Sequence, residues 1–201
     1  MSRIAYLLPV ITALAGGGLL RADDDEKNRH RAERRLSSLE TRARKITTAP
    51  DSTELSGFLQ HETLRLIERC RALLPSSSYQ FDRTLEATDD LLDSREDLQA
   101  ADRHQSPSEK EEKAQRDTAR RLERAYFRVQ QADYFARLSG DKHAPEYITF
   151  SRQLYQRARA AYDEREYHRA NRLASAGSKL VSVLENLAQA AVRKPVPPEL
   201  K

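Results

Sequence analysis

The stretch ANRLASAGSKLVSVLENLAQAAV, residues 170–192, carries no proline and only one glycine. Along it Leu173, Gly177, Leu180, Leu184, Leu187 and Ala191 recur at alternating steps of three and four. That is the period of one helix face, whereas a half-buried strand would alternate every second residue. The same spacing is found further upstream. Ala32, Leu36, Leu39, Ala43 and Ile46 form one seam, and Leu59, Thr63, Leu66, Cys70 and Leu73 a second. A third runs through Phe81, Leu85, Thr88 and Leu92 to Leu98 and Ala101, and a fourth through Ala119, Leu122, Tyr126, Val129, Asp133 and Ala136. No segment sustains alternation with β-branched residues, so the chain reads as all-α.

Prolines at 50, 75, 107, 145, 195, 197 and 198 punctuate these seams. Capping chemistry agrees with them. Ser106-Pro107-Ser108-Glu109 is a capping box with proline at the first helical position. Gly140 stands where a left-handed residue would close a helix, and Ala144-Pro145-Glu146 opens the next one. The predicted helices span 24–47, 52–74, 78–103, 107–138, 146–163 and 165–192, with a break in the third near 94. Arg193 to Lys201 is a proline-rich stretch that cannot continue a helix and reads as a flexible tail. Narrow apolar stripes predict that no helix is buried all round. The helices should associate side by side as an elongated antiparallel bundle or a pair of hairpins, divided into an N-terminal region, 23–104, and a C-terminal hairpin region, 105–192.

Composition limits what such a chain can be. Its 201 residues carry 35 Lys and Arg against 31 Asp and Glu, with 38% hydrophobic residues and one cysteine. This balance argues against a multi-span membrane protein, and one cysteine excludes an internal disulfide framework. Met-Ser-Arg3, the apolar run Ile4 to Leu20 and Arg21-Ala22 before an acidic stretch have the three-part build of an export signal. Residues 1–22 are therefore read as a signal peptide cleaved after Ala22. Gly16-Gly17-Gly18 weakens the alternative of a spanning helix, so no stable transmembrane anchor is expected after processing. Loss of Arg3 and Arg21 lowers the 35 basic residues to 33 against 31 acidic, which halves the net charge of +4 and leaves poor support for nucleic-acid binding.

A shift of 69 residues places Phe81 on Phe150, Leu85 on Leu154, Leu98 on Tyr167 and Ala101 on Ala170, the register of a possible duplicated hairpin. The second copy, Ala161-Tyr162-Asp163-Glu164-Arg165-Glu166-Tyr167-His168-Arg169-Ala170 followed by Leu173 and Ala176, resembles the turn of a tetratricopeptide-like hairpin. Over residues 120–190 the chain is also similar to alanine-rich helical domains of unknown function in bacterial envelope proteins. It lacks the usual turn glycine and a clean 34-residue period. The resemblance implies a helical interaction module and carries no catalytic motif.

Nothing in the spacing asks for catalysis, a cofactor or a metal. His30, His61, His104, His143 and His168 are scattered, and none has a carboxylate three residues before it, so they read as solvent-facing. Cys70 lies on an apolar face and reads as a small buried hydrophobe. The acidic third helix, with Asp82, Glu86, Asp89, Asp90, Asp93, Glu96 and Asp97, is complementary to the basic first one. Tyrosine is the informative excess. Tyr126, Tyr134, Tyr147, Tyr155, Tyr162 and Tyr167 form the candidate interaction surface. The expectation is a non-catalytic, exported helical scaffold of the bacterial cell envelope, its partner another envelope protein or a second copy. The alternative is a groove between the C-terminal helices that binds a cell-wall glycan or a peptide.

Overall fold

A computed structural model describes residues 16–46, 53–76, 79–102 and 111–192. Helix α1 spans Gly16–Lys45, α2 Glu54–Leu73, α3 Tyr79–Ala101, α4 Glu111–Ser139, α5 Ala144–Asp163 and α6 Tyr167–Val192. A 3₁₀ turn, Leu74–Ser76, follows α2. Among the described residues there is no strand, and the chain is an all-α bundle.

Local chemistry explains most boundaries. Thr53 caps α2, its Oγ1 accepting from the Ser56 N–H at 3.2 Å. Gly140 is left-handed at φ +58°, closing α4 where expected, and proline opens α5. Two features differ from the sequence reading. Helix α1 begins at Gly16 and runs through the expected cleavage point after Ala22, while residues 1–15 lie outside the described residues. Helix α3 does not break near 94, because Ser94 is buried inside it and donates to the Ala176 carbonyl of α6 at 3.2 Å. The capping box at 106–109 and the tail from 193 lie outside the described residues.

Helix α6 corrects the expectation that no helix is buried all round. It packs along α3, α4 and α5, and only Arg172 and Val192 are exposed along its whole length. The seam counted from large residues missed the small ones. Ala170, Ala174, Ala176, Val181, Val183, Ala188 and Ala190 bury a second and third face and admit neighbouring backbones. Helices α5 and α6 approach closely at Gly177, where an added Cβ would lie 3.2 Å from the Ser151 carbonyl oxygen and 3.3 Å from Leu154 Cβ. One core surrounds α6. A second, of Ala32, Leu36, Leu39, Ile67, Phe81, Leu85 and Leu92, fills the space between α1, α2 and α3. The 69-residue register superposes an unbroken α3 on the α5–α6 turn, and Phe81 and Phe150 belong to different cores. The agreement reflects a shared helical period.

Charges complement the packing. Arg42 of α1 donates to Asp89 and Glu96 of α3, each at 2.6 Å, and also to Asp93, as the basic and acidic helices predicted. Lys179 of α6 reaches Asp93 at 3.0 Å and Asp97 at 3.1 Å. Asp90 is less well served. Burial, with Asp93 and Asp89 beside it, pushes its carboxyl up to about 6, and Asn186 Nδ2 donates to it at 2.9 Å. A folded-state value above the unfolded one means that the native chain binds the extra proton, so this residue makes the fold more stable as pH falls from about 6 to 4. Asp90→Asn should flatten that part of the stability profile and add on the order of 1–2 kcal/mol at pH 7, measured by urea unfolding across the range.

The α5–α6 turn lacks a glycine but needs one conformationally. Arg165 adopts φ 63°, with Glu166 N bonded to the Ala161 carbonyl at 2.8 Å and Arg165 N to that of Tyr162 at 3.0 Å. These are the two bonds of a Schellman close. A left-handed non-glycine residue costs about 1–2 kcal/mol, partly offset by the greater chain entropy of glycine when unfolded. Arg165→Gly is therefore expected to stabilise the chain by about 0.5 kcal/mol, and Arg165→Val to destabilise it, both read from thermal unfolding.

Candidate functional site

The buried seam of α4 is Thr118, Leu122, Ala125, Val129 and Ala132, rotated from the one read in the sequence. This rotation decides which aromatics face outward. Tyr126 is 44% exposed and Phe127 59%. They border an open groove of about 410 Å³ between α4 and α5, with Leu122, Tyr155 and Tyr162 in its walls. The Tyr126 and Tyr155 ring centroids are 5.8 Å apart and those of Tyr126 and Phe127 5.6 Å apart. Glu123, Arg159 and Asp163 supply a charged rim, and Tyr155 beside Arg159 favours the charged guanidinium. Its volume lies toward the lower end of the roughly 300–1,000 Å³ of ligand pockets, and its open shape suits a few apolar side chains better than an enclosed molecule.

The six candidate tyrosines therefore divide. Tyr126, Tyr155 and Tyr162 line the groove. Tyr167 packs edge-on against Tyr162, with ring centroids 5.4 Å apart, and closes the hairpin end beside it. Tyr134 is 62% exposed and lies outside the groove, beside Phe135. Tyr147 is a correction: it is wholly buried and contributes nothing to a surface. Phe127 was missed. Consecutive residues stand 100° apart on a helix, so the pair Tyr126-Phe127 could not both fit a narrow buried stripe, and that was the available signal.

Tyr147 belongs to a polar network at the other end of the α4–α5 hairpin. Its hydroxyl donates to Glu62 Oε2 at 3.0 Å, while Arg65 donates to both Glu62 oxygens at 2.6–3.0 Å and to Asp141 at 3.0 and 3.2 Å. Glu62 is fully buried, and the side chain of Asp141 is 5% exposed. Burial and the Glu62 carboxylate hold the Tyr147 phenol well above its usual range, so it remains a donor. Asp141 Oδ1 accepts from the His143 N–H at 2.9 Å and thereby shapes the turn. His143 Nε2 then lies 3.5 Å from Glu62 Oε1, and the His61 and His143 ring centroids are 6.0 Å apart. The scattered histidines are thus a second correction, since the fold brings two of the five to one buried carboxylate. Cys70 is buried, as expected, and burial pushes its thiol up to about 11.

No protein-family model, curated protein or solved structure matches this chain.

Proposed function

We propose that this chain is a non-catalytic, exported helical interaction module of the bacterial cell envelope, and that the groove between α4 and α5 receives an apolar segment of a protein partner. The carrying observation is the exposed pair Tyr126 and Phe127 bordering an apolar groove on an otherwise polar chain. Two large rings held outward on a rigid helix supply contact area at little entropic cost, and charged Glu123, Arg159 and Asp163 orient what docks between them. The leader-like N-terminus supports the location. Among the described residues no helix is long and apolar enough to cross a membrane.

The test is a photo-crosslinker placed beside the groove in the full chain expressed in its native envelope, with mass spectrometry of the mature N-terminus. A discrete protein adduct is expected, reduced at least tenfold by Tyr126→Ala with Phe127→Ala. The pair should change the unfolding midpoint little, because surface substitutions are usually worth within about 0.5 kcal/mol. An adduct yield unaffected by the double variant overturns the reading. Retention on purified cell-wall material without a protein adduct would transfer the groove to a glycan or peptide ligand, and an unprocessed Met1 in the cytoplasm would overturn export.

A further inference from the structure

We propose that His61, Glu62 and His143 form a binding site for one divalent transition-metal ion of the zinc class, joining α2 to the α4–α5 turn. Among the described residues this is the group of His, Cys, Asp and Glu side chains whose ligand atoms converge, all within 4.8 Å of one another. Metal–ligand bonds of about 2.0–2.1 Å in a tetrahedron put ligand atoms about 3.3 Å apart. His143 Nε2 and Glu62 Oε1 stand 3.5 Å apart, already close to that edge. His143 Nε2 is buried and has no hydrogen-bond partner among the described residues, an uncommon state for a buried ring nitrogen. His61 is exposed, so a rotamer change can bring its ring nitrogen in from the remaining distance.

The surroundings are those of a built site. Metal-binding side chains need partners that fix their orientation. Arg65 donates to both oxygens of the Glu62 carboxylate and Tyr147 to Oε2, Asp141 holds the turn that carries His143, and His143 Nδ1 lies 3.9 Å from Glu146 Oε1. The Arg65 guanidinium does not repel a cation outright, because Glu62 and Asp141 share it. Two imidazoles and a carboxylate favour zinc, copper or nickel over magnesium or calcium, which prefer all-oxygen shells. Three protein ligands leave the fourth position to solvent. The site and the aromatic groove lie at opposite ends of α5, roughly 20–30 Å apart at 1.5 Å per residue, so this inference does not depend on the proposed function.

Titration of the untagged full chain with Zn²⁺ by calorimetry should give one equivalent bound and an unfolding temperature that rises with added metal. Co²⁺ should give the intense visible bands of a low-coordinate nitrogen and oxygen site, without the charge-transfer band of a thiolate. His61→Ala, which alters only an exposed residue, should weaken Zn²⁺ binding at least tenfold, as should His143→Gln. His30→Ala, removing the exposed histidine beside Glu26 and Glu33, should leave it unchanged. Absence of stoichiometric binding, unchanged affinity in His61→Ala, or loss of binding in His30→Ala would each overturn the proposal.

Discussion

Replacing Arg65 with alanine is expected to destabilise the folded chain by about 3–5 kcal/mol, the cost of leaving buried charge without its counter-ion. Both Glu62, fully buried, and Asp141, at 5% exposure, are ion-paired with this guanidinium, and their other hydrogen bonds come from neutral donors, the Tyr147 hydroxyl and the His143 N–H. Arg69 stands 3.9 Å from Asp141, and among the described residues it forms no ion pair with Glu62. The urea unfolding midpoint at pH 7 measures the loss. Glu62→Gln in the Arg65→Ala background should restore part of the loss, and equal midpoints for Arg65→Ala and the parent would show that the network contributes nothing.

Gly177→Leu is the second large effect, expected to cost about 3 kcal/mol or more because overfilling a close-packed contact forces backbones apart. The obstacles are the Ser151 carbonyl oxygen and Leu154 Cβ of α5, neither of which is the movable end of a side chain. Gly177→Ala should cost much less, about 1 kcal/mol. Its strain at 3.2 and 3.3 Å is offset by the roughly 0.5–1 kcal/mol that alanine contributes over glycine in a helix. The contrast with Gly57, where an added Cβ meets nothing within 4 Å, supplies the control: Gly57→Ala in α2 should stabilise. Denaturant midpoints of the three variants give the ordering.

The candidate site was legible in part. Counting tyrosines located the hairpin that carries the groove, since an excess of Tyr between 126 and 167 remains an excess however the helices pack. Which tyrosines face outward depends on helix rotation, and a seam read one residue out of register places Tyr126 inside when it is 44% exposed. On α5, Tyr147 and Tyr155 look alike in sequence. Only the packing of Phe58 against Tyr147, with ring centroids 5.0 Å apart, and the Glu62 acceptor beneath its hydroxyl distinguish the buried ring from the groove wall.

The amino-acid order alone determined that this chain is helical, where most of its helices stop, and that the basic α1 and acidic α3 are complementary. Those properties are local: period, caps, prolines and charge act within a few residues of one another. Tertiary structure decided that α6 is the shared centre, that Gly177 is a contact point, and that His61 and His143 meet at Glu62. Each of these joins positions tens of residues apart in sequence, through the rotation of one helix about its axis against another. The spacing along a single helix leaves that rotation open, and it is settled only when several faces compete to be buried together.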